Sequence, residues 1–326
     1  MATVVSGTPA QREPVVDAHL ELVAEAQPGL VAGSSAGASP AAWRDYLTLT
    51  KPRVMSLLVL TALCAMTAAA AGDPSLTGLL ALTVGGCLAC GGASAFNHVL
   101  DRDIDRMMGA RTANRPVAAG RIRPRDAVIF AVALCVLSFA LMWTLDNLLA
   151  AALAAAGGSF YVIVYTLGLK RRTSANIVIG GAAGAFPALS GWAAAHGSLG
   201  VGAWYLFAIV VVWTPPHFWS LAMLLRQQYE DADIPMLPVV KGDPHTALQI
   251  LVYSLGLTAL TLVPGLTGVF GVSYLVGAVL LGALFCGFAW RLWRDPSRAH
   301  AAHLFHFSLL YLALLFAAVA VDAVVR

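Results

Sequence analysis

Three side chains that offer oxygen ligands recur at every fourth position in the segment Asn97–Asp105. If a helix runs through this segment, Asn97, Asp101 and Asp105 spread over about 80° of one face, and Asp103 points the opposite way. Neighbouring carboxylates repel each other, so the arrangement needs a cation between them. Mg²⁺ binds to one or two protein carboxylates together with phosphate oxygens of a substrate. The spacing therefore predicts a magnesium site with Asn97, Asp101 and Asp105 as its ligands.

Two arginines, Arg111 and Arg115, follow four residues apart in the sequence Arg-Thr-Ala-Asn-Arg-Pro. A guanidinium group matches phosphate oxygens with two parallel hydrogen bonds. Carboxylates for a metal, followed by arginines for anionic oxygens, predict a diphosphate site in which both arginines stabilise the leaving group. The alternative is a charged loop of Asp–Arg pairs, which explains the arginines but not the spacing of the three metal ligands.

A second acidic segment, Arg226–Pro238, follows another apolar run further along the chain. Tyr229 and Asp233 lie four residues apart and share a face if a helix continues that far. The recurrence suggests a pseudo-repeat with two helix-loop half-sites that face each other. A solvated acidic turn would account for the same residues.

His217 lies within an apolar run, directly after Pro215 and Pro216 and between two tryptophans. An ionisable group at membrane depth is a functional hypothesis by default. We expect His217 to contact a substrate; the alternative is a histidine that satisfies carbonyls freed by the prolines.

The elements that must position these residues are membrane spans. Of 326 residues, 59% are hydrophobic and only 11% charged, and the mean hydropathy is +0.77. This composition excludes a soluble globular enzyme, a disordered chain and a nucleic-acid-binding protein. With about 20 apolar residues for each span, the sequence predicts an all-α polytopic membrane protein of about nine transmembrane helices. The predicted spans are residues 54–71, 79–97, 127–145, 148–168, 175–195, 204–225, 246–265, 273–290 and 303–323.

The basic residues predict the orientation of these spans. If the N-terminus is cytoplasmic, every Lys and Arg except Arg326 lies on the cytoplasmic side, as the positive-inside rule requires. We expect a multi-pass protein of the bacterial plasma (inner) membrane whose active site faces the cytoplasm. Residues 1–42 have no apolar run and are predicted to form a disordered cytoplasmic tail, and residues 43–326 to form one transmembrane domain.

Together the motifs resemble the intramembrane UbiA-type prenyltransferase superfamily and, within it, the protohaem IX farnesyltransferases. The segments that carry the resemblance are Lys51–Leu57, Asn97–Asp105, Arg111–Pro116, Trp213–Trp219 and Pro235–Gly242.

Members of this family often have Asp immediately before the tyrosine of the second loop, where this chain has Gln228. Glu230, Asp231 or Asp233 is expected to take over as a metal or diphosphate ligand. We expect Asp231 to bind metal and Tyr229 and Asp233 to bind substrate.

The resemblance implies transfer of a farnesyl group from farnesyl diphosphate to a vinyl group of haem b, with addition of water. The products would be haem O and diphosphate, and Mg²⁺ would assist ionisation of the allylic diphosphate. It further implies that Lys51 and Arg53 meet haem propionates or diphosphate and that His217 contacts haem. It leaves room for a downstream haem-modifying enzyme as a partner.

Two rival functions remain. A prenyltransferase acting on a quinone-precursor aromatic acid or on a chlorin would use the same metal chemistry. A membrane transporter would also carry intramembrane charges and broken helices. The charged residues of this chain are concentrated at one membrane face, which favours chemistry over transport.

Overall fold

The polypeptide is described over residues 42–326 in a computed structural model, and the side chains of Arg53, Val54 and Arg111 lie outside the described part. The predicted N-terminal tail therefore also lies outside it, except for its last residue. Within the described range the chain forms helices joined by turns, without a β-strand. This agrees with the all-α prediction.

Nine helical segments of 18 or more residues follow one another along the chain. Eight are each long and apolar enough to cross a membrane, and the first becomes a ninth span when it is joined to the short helix before it. The protein is therefore a multi-pass membrane protein, and the predicted spans match the observed helices within a few residues. The spans are α2 (Pro52–Ala69), α3 (Leu76–Leu100), α6 (Pro124–Leu145), α7 (Leu148–Ser159) with the π-helical segment Phe160–Leu169, α8 (Asn176–Gly180) with α9 (Ala182–His196), α10 (Val201–Leu224), α13 (Asp243–Leu266), α14 (Val272–Arg294) and α15 (Arg298–Val325).

Short helices occupy the polar segments between the spans. Two of them, α4 and α11, are each separated from the long span before them by a single residue. The short helices are α1 (Trp43–Thr50), α4 (Arg102–Met107), α5 (Ala110–Ala113), α11 (Arg226–Asp231) and α12 (Leu237–Lys241).

Local sequence signals set several of the helix starts. Pro52 and Pro124 occupy the first position of α2 and α6, where the missing N–H of proline is no loss. Ser75 and Asn147 cap α3 and α7, because each side chain accepts a hydrogen bond from a backbone N–H three residues later.

The spans differ in how deeply they are buried. Of an 18-residue apolar stretch of α10, 67% is buried inside the protein, compared with 17% of the corresponding stretch of α6. Leu206 and Ile209 of α10 are fully buried. Helix α10, which carries His217, is therefore central, whereas α6 presents most of its surface to lipid.

Helices α2 and α9 approach each other closely at Gly191. A Cβ atom built on Gly191 would lie 2.0 Å from the backbone oxygen of Ala62. Small residues permit this kind of close approach in membrane bundles, and Gly191 supplies one within the Gly- and Ala-rich span 175–195.

We expect Gly191→Ala to destabilise the protein by about 1–3 kcal/mol, because the added methyl group must push α2 and α9 apart. The loss should appear as a lower midpoint of thermal aggregation in detergent. Gly184→Ala on the same helix is the matched control, since no atom lies within 4 Å of a Cβ at that position. Equal midpoints for the two variants would contradict the close contact.

Candidate active site

The acidic segment continues the helical register of α3. Asp101 joins α3 to α4 with φ −95° and ψ 8°. Its backbone N–H donates to the Asn97 carbonyl over 2.9 Å, and the N–H of Asp105 donates to the Asp101 carbonyl over 2.8 Å. Asn97, Asp101 and Asp105 therefore lie on one face, where they are 3%, 0% and 1% exposed. Asp103 lies on the opposite face and is exposed.

Each of these three side chains accepts a hydrogen bond from a basic side chain. Arg115 donates to Asp105 Oδ1 over 2.6 Å, and Lys170 donates to Asp101 Oδ2 over 2.5 Å. Lys51 donates to Asn97 Oδ1 over 3.0 Å. Burying carboxylates without opposite charges would be strongly unfavourable, so these cations make the buried face possible.

One oxygen of each carboxylate has no hydrogen-bond partner among the described residues: Asp101 Oδ1 and Asp105 Oδ2. Arg171 Nη2 lies 4.0 Å from Asp101 Oδ1. Two free carboxylate oxygens one helical turn apart fit a hard divalent cation such as Mg²⁺.

No three His, Cys, Asp or Glu side chains gather into a metal-binding group within residues 42–326. Asp231 therefore does not complete a three-carboxylate centre with Asp101 and Asp105. A cation held here would need oxygens from elsewhere, as in sites where substrate phosphates complete the Mg²⁺ shell.

The two carboxylates of α4, Asp103 and Asp105, have different electrostatic environments. Burial raises the pKa of Asp105 above its usual range, although Arg115 opposes this effect. Two hydrogen bonds from Arg171 lower the pKa of exposed Asp103 to about 2. Asp103 thus belongs to a surface ion pair rather than to the buried face.

The second acidic segment repeats the local geometry of the first with different side chains. Leu225 joins α10 to α11 with φ −106° and ψ 17°, and Tyr229 takes the position in α11 that Asp105 takes in α4. Tyr229 is buried and lies close enough to Asp101 and Arg115 to interact with them electrostatically. The structure therefore brings Tyr229 to the buried face formed by Asn97, Asp101 and Asp105, which we call the acidic face.

Asp231 and Asp233 stay at the surface. Asp231 accepts a hydrogen bond from Gln227 over 2.9 Å. Helix α11 ends at Asp231, and Asp233 has a left-handed backbone with φ 53°. Tyr229 and Asp233 thus do not share a helical face, because the helix stops between them; metal and substrate roles for Asp231 and Asp233 remain predictions.

Three residues beside the acidic face belong to no sequence motif that would have identified them as site residues. Lys170 follows the π-helical segment and is fixed there by a hydrogen bond from its N–H to the Tyr165 carbonyl. Tyr161 and Tyr165 stack with ring centroids 5.5 Å apart, and both interact electrostatically with Asp101 and Tyr229. Only the tertiary fold places them beside the acidic face.

Two predicted site residues are known here only by their backbone. Arg53 lies in the first turn of α2 and Arg111 in α5, and the side chains of both lie outside the described part of the structure. Lys51, which precedes α2, has a left-handed backbone with φ 51°.

His217 lies in an aromatic stack inside the bundle. Its ring lies between Trp213 and Phe305, with centroid distances of 4.4 and 5.0 Å. Nδ1 lies 2.7 Å from Ser308 Oγ, and Ser308 donates its own proton to the Phe305 carbonyl. Because the hydroxyl has a single proton, His217 must donate through Nδ1, which leaves a lone pair on Nε2.

The amino-acid sequence matches the UbiA prenyltransferase family over residues 58–316. The chain belongs to this family. The matched range includes the acidic face, Tyr229 and His217, and the UbiA fold is that of a membrane-embedded helical prenyltransferase.

Two relatives within the UbiA family illustrate the similarity. The protoheme IX farnesyltransferase of Gloeobacter violaceus is 50% identical over 285 residues, which are 87% of this chain and 93% of the relative. That of Thermus thermophilus is 53% identical over 289 residues, which are 89% of this chain but 47% of the relative. The chain thus spans about half the length of the Thermus protein.

A solved UbiA homolog has the same fold. The structure of the homolog from Archaeoglobus fulgidus bound to DMAPP and Mg²⁺ superposes with a TM-score of 0.61. The alignment covers 85% of this chain and 99% of that one, at 16% identity. The helical architecture is therefore that of the UbiA family.

Proposed function

We propose that the chain transfers a farnesyl group from farnesyl diphosphate to a vinyl group of haem b, with addition of water, and yields haem O and diphosphate. The observation that carries this proposal is the buried face of Asn97, Asp101 and Asp105, surrounded by Lys51, Arg115 and Lys170. The similarity to curated protoheme IX farnesyltransferases supports haem as the acceptor.

The acidic face would bind the diphosphate end of the substrate. Asp101 and Asp105 would hold Mg²⁺ through their free oxygens, with Asn97 beside them. When bound, Mg²⁺ supplies positive charge that offsets the charge on the diphosphate. Arg115 and Lys170 lie beside the carboxylates and would stabilise the negative charge that develops as the C–O bond breaks. Arg111 is proposed to reach the same oxygens.

The surrounding side chains would keep water away from the allylic cation. Tyr161, Tyr165 and Tyr229 border the acidic face, and the last two are buried. A dry, apolar cavity prevents premature quenching of a reactive cation. The haem vinyl group needs no base to attack this cation, so positioning should dominate the coupling step.

The acceptor would lie toward His217. Its Nε2 lone pair suits coordination of haem iron, since neutral imidazole is a common ligand of haem. Lys51 and Arg53 are proposed to meet haem propionates or diphosphate, and Asp231 and Asp233 to assist at the cytoplasmic rim. The active site would then lie at the cytoplasmic face of the bacterial plasma membrane, with the N-terminus inside. A haem-modifying enzyme would be the consumer of the product.

The test is a mass spectrum of haems extracted after incubating the purified protein with haem b, farnesyl diphosphate and Mg²⁺. We expect a haem heavier by one farnesyl group plus one water. This product should disappear when EDTA removes the metal and return when excess Mg²⁺ is added. Unchanged haem from well-folded protein, together with prenylation of an aromatic acid or a chlorin under the same conditions, would overturn the choice of acceptor.

A further inference from the structure

Two buried polar side chains of α3 have no role in the diphosphate site. The hydroxyl of Ser94 and both ring nitrogens of His98 have no hydrogen-bond partner among the described residues. The two residues are 8% and 1% exposed. An unsatisfied buried polar group is costly, so three such atoms within one helical turn require an explanation.

These atoms lie on the same face of α3 as the acidic site. Ser94 precedes Asp101 by seven residues, and at 3.6 residues per turn the two lie within about 20° of each other around the helix. By the same rule, His98 lies about 60° from Asp101. Lys51 and Arg115, which contact the acidic face, are also close enough to the His98 ring to act on it electrostatically. Ser94 and His98 thus extend the polar face toward the membrane interior.

The spacing of the pair suits a bound water molecule. Residues four apart on a helix have Cβ atoms about 5–6 Å apart, a distance that one bridging water can span. A buried water makes two to four hydrogen bonds, and the Ser94 hydroxyl together with one ring nitrogen of His98 would provide two of them. Along the axis, Ser94 and His98 lie about 10 and 5 Å deeper than Asp101, on the membrane-interior side of the acidic face.

We propose that Ser94 and His98 hold the water molecule that is added to the substrate, an inference that rests on the proposed function. In that reaction the C–O bond of farnesyl diphosphate breaks, and its electron pair goes to diphosphate. C1 of the farnesyl group bonds to the terminal vinyl carbon, which leaves a cation on the vinyl carbon next to the ring. The held water bonds to this carbon through its oxygen and loses one proton, which diphosphate takes up. Without a positioned water, the cation loses a proton from its neighbouring carbon, and an alkene forms instead of the alcohol.

The experiment measures which of the two products forms. The purified full chain is incubated with haem b, farnesyl diphosphate and Mg²⁺, and the ratio of water-free to hydrated farnesyl haem is read by mass spectrometry. In His98→Phe, which keeps a ring but no hydrogen-bonding atom, this ratio should rise about tenfold or more, as expected for loss of a hydrogen bond. Ser94→Ala should raise it by a smaller factor. The control is Ser138→Ala in α6. It removes a buried hydroxyl that donates to the Gly85 carbonyl on a different face of α3, and it should leave the ratio unchanged.

Three results would overturn the inference. The first is an unchanged ratio in active His98→Phe. The second applies if His98→Phe makes no farnesyl haem, and it is an unchanged ratio in Ser94→Ala. The third is loss of all farnesyl haem in both variants, because a group that holds the water acts only after the carbon–carbon bond has formed. Absence of farnesyl haem with the unmodified chain would instead reject the proposed function.

Discussion

Replacing Asp101 or Asp105 by alanine is expected to lower turnover by about 10²–10³-fold, the usual cost of removing one group that stabilises a transition state. Each carboxylate balances a basic side chain and offers one free oxygen to a cation. Alanine removes both functions. The measurement is the initial rate of farnesyl haem formation at saturating substrates, with folding checked by size-exclusion chromatography in detergent.

Asp103→Ala is the matched control for these two variants. Asp103 belongs to the same segment, but it faces outward and pairs with Arg171 at the surface. Exposed ion pairs contribute little to stability, and Asp103 lies away from the buried face. The turnover of Asp103→Ala should therefore remain within about twofold of that of the unmodified chain. Equal losses at all three positions would mean that the one-sided helical face is not what matters for the reaction.

Lys170→Met is expected to have the second large effect. Lys170 is 12% exposed and forms an ion pair with fully buried Asp101. Removing one partner of a buried pair costs about 3–5 kcal/mol, because the other charge remains without compensation. We expect a lower midpoint of thermal aggregation and, in the folded fraction, a turnover lowered by about 10²-fold, since one cation beside the leaving group is lost.

The neighbouring position provides the control for this variant. Arg172 lies two residues away in the same basic turn and is exposed. Arg172→Met changes charge and chain length in a similar way, and we expect parental turnover and stability. A Lys170→Met protein as stable and active as Arg172→Met would show that the ion pair with Asp101 is dispensable.

Local patterns in the sequence were enough to predict the spans and the acidic face. Apolar runs of membrane length fix the helices, and a four-residue spacing fixes which of Asn97, Asp101, Asp103 and Asp105 share a face. Both signals depend only on residues close together in the chain. The structure shows this register intact across the junction at Asp101.

Partners from distant parts of the chain could not be predicted in this way. Lys170 and Tyr161 come from the fourth span and reach the acidic face only through packing. In the second acidic segment, spacing favoured a helix that includes Asp233, but α11 ends at Asp231. A spacing rule holds only as far as the helix continues. Here the helix ends two residues before Asp233, and Asp233 itself has a left-handed backbone.

The two junctions where a long span meets a short helix have nearly the same backbone, but the fourth residue of the short helix is charged at one junction and neutral at the other. At one of them Asp105 is accompanied by Arg115, and at the other the equivalent position holds the neutral phenol of Tyr229. A twofold-symmetric cavity would accept an elongated amphiphile in either of two opposite directions. Under the proposed function both junctions would border one cavity, and the buried charge at only one of them would define which end of the ligand is presented for reaction.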